Sequence, residues 1–224
     1  MNIVTISNEK WLDDHAIRFL RLARNSNPTA NITLIYTGVQ NEPSNDICGR
    51  FDRVVRYPVG ADCRDWYNTV RLKMNDLGIG EYLYVDVDVD ILQDLSGIMK
   101  QPGDILWARS PTISQEFAEM CDKKGWNKWG ANNGMLYIRK DYSTRYTEIL
   151  ESLKAEGCSP RLVGTYAFNQ LVRENKEVIC EMPYYNDVIF WDMQSLATAK
   201  AVHWCNVVGQ AKRVALEKIW RDSL

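Results

Sequence analysis

The chain has 224 residues, 46% of them hydrophobic and 25% charged, the proportions of an ordinary globular protein. Its 27 Lys and Arg against 29 Asp and Glu leave a net charge of −2, without the basic excess of a dedicated nucleic-acid binder. Disordered, fibrous and disulfide-stapled classes are excluded by the same composition, and the length suits one domain, or two small ones, at roughly 100–200 residues each. Eight Trp and 11 Tyr are the outliers, suited either to a core or to platforms that stack on sugars and bases.

In chain order, residues 2–6 predict a strand, 11–24 a helix with Leu12, Ala16, Phe19, Leu20 and Ala23 on one face, and 31–36 a second strand. A short strand at 54–57, a helix at 64–77 capped by Asp62 and a strand at 81–85 follow. This β-α-β-α order predicts a mostly parallel sheet flanked by helices. The second half is less regular: strands at 104–108, 135–139 and 177–180, and helices at 113–123, 142–154, 166–174 and 210–222. No repeat, low-complexity tract or linker divides the chain, so a single α/β domain is expected, parallel first and mixed later. The opening residues lack the basic start and apolar run of an export signal, and no stretch approaches 18 apolar residues. None of the six cysteines forms a C-x-x-C pair. Reduced thiols and a cytoplasmic location are the expectation.

Ligands of open α/β sheets sit beyond the carboxyl ends of the strands. The turn after the first strand, Ser7-Asn8-Glu9-Lys10, has no glycine, and no P-loop occurs anywhere. The informative segment is Tyr82-Leu83-Tyr84-Val85-Asp86-Val87-Asp88-Val89-Asp90, an apolar strand running into three alternating carboxylates. In extended chain all three share one face. Their mutual repulsion would raise their pKa values, and a divalent cation removes that cost; oxygen ligands select Mg²⁺ or Mn²⁺. The mid-loop glycine and distal glutamate of a calcium-binding EF-hand are missing. A solvated strand end is the bland alternative.

Tyr84 to Asp88 resembles the Y-L-D-x-D of GT-A glycosyltransferases, most like the glycogenin and bacterial galactosyltransferase group. The haloacid dehalogenase-like phosphatases also use paired aspartates, but on their first strand, whereas here about 85 residues precede the motif. The resemblance implies a single GT-A domain with a nucleotide-binding half at 1–92 and an acceptor and sugar half at 93–224. It implies Asp86 and Asp88 as metal ligands with a catalytic role, and leaves Asp90 open. Arg71, in Tyr67-Asn68-Thr69-Val70-Arg71-Leu72, matches the family's R-L pair, whose arginine contacts donor sugar or phosphate, and by resemblance is the third catalytic candidate. Ile6, Ser7, Asn8 and Trp11 take the place of the residues that hold base and ribose, with Asn8 replacing an acid and Trp11 a tyrosine. Asn132 and Gly134, in Gly130-Ala131-Asn132-Asn133-Gly134-Met135-Leu136, match the Asn and Gly of the sugar pocket.

Two further stretches depart from the family. Gly164-Thr165-Tyr166-Ala167-Phe168-Asn169-Gln170 sits where a D-Q helix start is expected, without the acid, leaving Asn169 and Gln170 as candidates for sugar hydroxyls. His203 lies six residues before Gly209 instead of three, although Gly209 and Lys212 keep the G-x-x-K spacing. By resemblance His203 completes the metal site and Gly209 and Lys212 hold the diphosphate. Gly125-Trp126-Asn127-Lys128-Trp129 reads as a loop over the pocket, an acceptor platform or two core tryptophans. The last helix, with Lys212, Arg213, Lys218, Arg221 and Trp220, fits a docking helix or contact with an anionic membrane surface. Asp187 and Asp192 are the acids available for an inverting mechanism.

The expected function is metal-dependent transfer of a sugar from a UDP-linked donor, with Mn²⁺ or Mg²⁺ as cofactor, retention of configuration, and a glycan, lipid or protein acceptor. An inactive sugar-nucleotide-binding module and a metal-dependent phosphohydrolase are the alternatives.

Overall fold

A computed structural model describes residues 1–8, 12–38, 45–57, 69–110, 113–160, 162–182, 187–188 and 200–203. The first half contains β1 (Asn2–Ser7), a π-helical turn (Leu12–Ala16) leading into α1 (Ile17–Ser26), and β2 (Asn31–Tyr36). It continues with α2 (Asn45–Cys48), β3 (Arg53–Arg56), α3 (Met74–Leu77), β4 (Tyr82–Val85) and β5 (Val89–Ile91). A 3₁₀ turn (Ser96–Lys100), β6 (Ile105–Ser110), α4 (Gln115–Lys124), β7 (Gly130–Ile138), α5 (Ser143–Ala155) and α6 (Val163–Glu174) follow. β8 (Ile179–Glu181), β9 (Asp187–Val188) and β10 (Ala201–His203) complete the described elements.

Seven strands form the central sheet in the order β3-β2-β1-β4-β7-β6-β8. β3, β2, β1 and β4 run parallel; β7 is antiparallel to both β4 and β6, and β8 is parallel to β6. The sheet is parallel first and mixed later, as the element order implies. Side chains alternate between two cores, as strand geometry requires. Tyr82 and Tyr84 join Val4, Trp107, Leu136 and the apolar faces of α4, α5 and α6. Leu83 and Val85 join Ile3, Leu34, Met135 and the Phe19, Leu20, Ala23 stripe of α1. Burying each such side chain contributes roughly 1.5–3 kcal/mol, and β4, buried along its whole length, sits at the centre of both clusters. It is therefore a rigid mount for whatever follows it.

Three departures from the predicted elements bear on the site. The helix expected at 64–77 is broken within its described part: Leu72 N bonds Thr69 O and Lys73 N bonds Val70 O, three residues back instead of four, and a helix resumes only at Met74. Residues 64–68 and the cap Asp62 lie outside the described residues. The strand expected at 135–139 begins five residues earlier, at Gly130. Its pairing with β6 skips from Asn132 opposite Ala108 to Leu136 opposite Trp107, so 133–135 swing away from β6 while Met135 stays beside Val85 of β4. Finally, β5, β10 and β9 form a small second sheet; strands of two or three residues are too short to show a period. The helix expected at 210–222 lies outside the described residues.

Candidate metal centre and donor site

At the end of β4 the chain turns immediately: Val89 N bonds Asp86 O at 3.0 Å, and β5 starts at Val89. This corrects the expectation that Asp86, Asp88 and Asp90 share one face. Alternation holds only while the chain stays extended, and the turn ends it. Asp90 lies on β5, is 2% exposed, and forms a buried ion pair with Arg18 of α1. Ser26 Oγ donates to Ile91 O at 3.1 Å, so the acid belongs to a seam that fastens β5 to α1.

Asp86 and Asp88 remain at the turn, where His203 meets them. β10 runs antiparallel to β5 with His203 opposite Val89 and Val202 opposite Asp90, which places the imidazole beside the residue that follows Asp88. One ligand atom from each of Asp86, Asp88 and His203 lies within 4.8 Å of the others, and His203 Nε2 is 3.3 Å from Asp88 Oδ1. Two carboxylates and an imidazole so close fit a divalent cation.

Gly134 shows that this space is shaped. A Cβ there would lie 2.5 Å from His203 Cε1, 2.8 Å from Nδ1 and 3.0 Å from Asp86 Oδ2. Only glycine lets β7 pass so close. Asn132 holds the same corner from within β7: its Oδ1 accepts from Gly134 N at 2.8 Å and its amide nitrogen is 3.4 Å from His203 Nδ1. Gly134 O in turn accepts from Asp86 N at 2.7 Å.

Arg71 is delivered by the broken helix. Its carbonyl accepts from the Tyr82 hydroxyl at 2.7 Å, and its guanidinium donates to Asn133 O at 2.7 Å. The same group lies 3.9 Å from Asp86 Oδ1 and covers the Tyr84 ring at 4.8 Å. At 8% exposure it faces inward, toward the acid. The Tyr84 hydroxyl, which sequence reading missed, also donates to Asp86 Oδ1; its spacing two residues before the acid was the available signal.

The electrostatics follow from burial. Desolvation raises the pKa of Asp86, with Asp88 adding to the rise and Arg71, His203 and the Tyr84 hydrogen bond opposing it. His203 is raised as well: burial works against its charged form, but the hydrogen bond to Asp88 and the charges of both aspartates outweigh it. Burial pulls Arg71 down and Tyr84 and the acids push it up further, so the guanidinium stays charged. A protonated histidine and a cation occupy the same electrostatic niche.

Other predicted positions fall at the same sheet end or elsewhere. Ile6 and Ser7 end β1, which runs parallel beside β4, and with Asn8 they flank the acid corner; Ser7 O accepts from Thr37 N at 2.9 Å. Asp187 lies on β9, in register with Val202. Asn169 is fully buried, accepting from Ala131 N at 2.7 Å and donating to Thr165 O at 2.9 Å. It braces β7 against α6 and is not open to a sugar. Gln170 donates to Glu174 at 2.8 Å on α6. Trp126 and Trp129 line a cavity of about 500 Å³ with Trp107, Arg173, Lys176 and Glu181. Trp129 stacks on Trp107 at 5.1 Å, and its ring is also covered by Arg173, 3.9 Å away. Trp11, Asp192, Gly209 and Lys212 lie outside the described residues.

No protein-family model and no curated sequence matches this chain. Its fold matches solved glycosyltransferases at low sequence identity. The galactosyltransferase LgtC, crystallised with donor and acceptor sugar analogues, superposes with TM-score 0.62 at 14% identity, over 95% of this chain and 88% of its own. Mouse xyloside xylosyltransferase 1 gives 0.61 at 10%, over 92% and 99%. The glycosyltransferase GlyE of Streptococcus pneumoniae gives 0.66 at 16%, over 99% of this chain and 59% of its own. The chain has the GT-A fold, with an Asp-Asp-His group able to hold a metal at the carboxyl end of its central strand.

Proposed function

We propose that the chain is a metal-dependent glycosyltransferase that moves a sugar from a UDP-linked donor to a glycan, lipid or protein acceptor, with retention of configuration. The observation that carries this reading is the convergence of Asp86, Asp88 and His203 within 4.8 Å, beside the ends of β1 and β4, in a fold whose solved relatives are glycosyltransferases. Asp86, Asp88 and His203 hold Mn²⁺, or Mg²⁺ in its place. When bound, such an ion supplies positive charge to the departing diphosphate. Ile6, Ser7 and Asn8, with Trp11, take the base and ribose within the 1–92 half. Asn132 and Gly134 border the sugar, Gly209 and Lys212 take the diphosphate, and the 93–224 half meets the acceptor. Arg71, beside Asp86, meets the donor sugar or phosphate as a third catalytic residue, and with Asn132 it also holds Asp86 and His203 in place.

The test is incubation with UDP-sugars and Mn²⁺, reading UDP release and the anomeric configuration of any product. The expected result is metal-dependent release of UDP from one donor, lost in Asp88→Ala. A second reading, an inactive sugar-nucleotide-binding module, is favoured by the first turn of α6, which carries no acid. It predicts nucleotide binding with the donor left intact. Hydrolysis of aryl phosphates without any sugar nucleotide would establish a phosphohydrolase instead.

A further inference from the structure

The two oxygens of Asp86 have different surroundings. Oδ1 accepts from the Tyr84 hydroxyl and faces the Arg71 guanidinium at 3.9 Å. Oδ2 points the other way, toward Gly134 and the side of His203: a Cβ on Gly134 would meet it at 3.0 Å and His203 Nδ1 at 2.8 Å. Tyr84 itself cannot shift. Its ring is 2% exposed, packed in the core beneath Arg71, and Arg71 is tied to Asn133 O and by its own carbonyl to Tyr82.

We infer that Tyr84 is a positioning residue for the metal centre: its hydroxyl, with Arg71 behind it, fixes the Asp86 carboxylate so that Oδ1 is spent inward and Oδ2 alone is presented to the cation. This rests on the metal-binding reading above and deepens it. A carboxylate free to rotate about its Cβ–Cγ bond offers either oxygen, or both, to an ion. One locked by a donor on a single oxygen offers only the other, in a fixed direction. Partners behind a metal ligand orient it in this way, and their removal typically costs roughly 10- to 100-fold in affinity. The motif's tyrosine is thereby given a role at the site, from a position near the end of β4, two residues before the first acid.

The test is a calorimetric titration of Mn²⁺ into the metal-free wild type, Asp88→Ala and Tyr84→Phe, with electron paramagnetic resonance of the bound ion at saturating protein. Wild type binds and Asp88→Ala does not. Tyr84→Phe keeps its near-UV circular dichroism, binds roughly tenfold more weakly or worse, and gives a bound-ion spectrum different from wild type. A purely packing role for the hydroxyl leaves the saturated spectrum unchanged. Should the Phe variant not fold, Arg71→Gln carries the same test, because it withdraws the cation from the same oxygen. Unchanged affinity and spectrum in these variants overturn the inference while the metal reading stands. A wild type that binds no Mn²⁺ overturns both.

Discussion

Arg71, buried, and Arg173, half-buried, lie over aromatic rings in opposite settings. Arg71 covers Tyr84 at 4.8 Å and faces Asp86. Arg173 is sandwiched between Trp129 at 3.9 Å and Trp126 at 4.8 Å. Its donors go to the Asn169, Asn127 and Trp129 carbonyls and the Asn169 amide oxygen. The charge balance differs accordingly. Arg71 is pushed up by Tyr84 and the acids against its own burial, while desolvation pulls Arg173 down. The same residue type on the same kind of ring is an electrostatic part in one place and a structural clip in the other. The difference is set by whether a carboxylate lies within reach. The acid corner is thus built to receive charge, and the tryptophan edge to hold α6 and the 125–129 loop together.

That division can be broken experimentally. Asp90 sits in the acid run but belongs with the structural side. Asp90→Ala removes the buried carboxylate from its ion pair with Arg18 and is expected to cost about 1.5–3 kcal/mol, read by urea unfolding, with Mn²⁺ affinity in the folded protein unchanged within threefold. Arg173→Ala is expected to destabilise by about 3 kcal/mol through lost charged hydrogen bonds and ring contacts, again without altering Mn²⁺ affinity; a tenfold loss of affinity would erase the contrast with Arg71. Gly134→Ala forces His203 or Asp86 aside by its Cβ. An overpacking cost of about 1–3 kcal/mol should come with at least tenfold weaker Mn²⁺ binding, a pairing that neither Asp90→Ala nor Arg173→Ala shows.

The smallest effect is the pH dependence. His203 is raised above its ordinary value of 6.5 by Asp88 and Asp86. In the metal-free protein its interaction with the acids contributes stability that is fully present below the unfolded value near 6.5. That stability is lost as pH rises through the higher folded value. Metal binding has the opposite sign, because the ion displaces the proton. Mn²⁺ affinity should therefore climb with pH up to the folded pKa of His203 and flatten above it. His203→Gln should remove most of that slope near neutrality. A slope unchanged in His203→Gln would take the histidine out of the centre.

Much of the fold was legible in the sequence because β1, β2 and β4 are apolar runs buried on both faces, bounded by helical periodicity. Asp86 and Asp88 were legible for the same reason: acids placed directly after such a run stand out. Asp90 was not, since alternation is a rule for extended chain and nothing local announces the turn at 87–88. His203 came only from resemblance, because it reaches the corner through the pairing of two three-residue strands 114 positions apart at Val89 and His203. The need for glycine at 134 is likewise a fact of three dimensions, visible only when His203 and Asp86 are seen against β7. The inward turn of Arg71 depends on a helix break that its amphipathic pattern concealed.

On the proposed reading, Asp86, Asp88 and His203 hold a divalent cation on which a nucleoside diphosphate is bound. The most direct test is calorimetric titration of UDP, GDP and CDP, each with and without Mn²⁺, into wild type and Asp88→Ala. UDP should bind, binding should require Mn²⁺, and Asp88→Ala should abolish it. Nucleotide binding indifferent to both metal and Asp88, or no binding of any of the three, would contradict that reading.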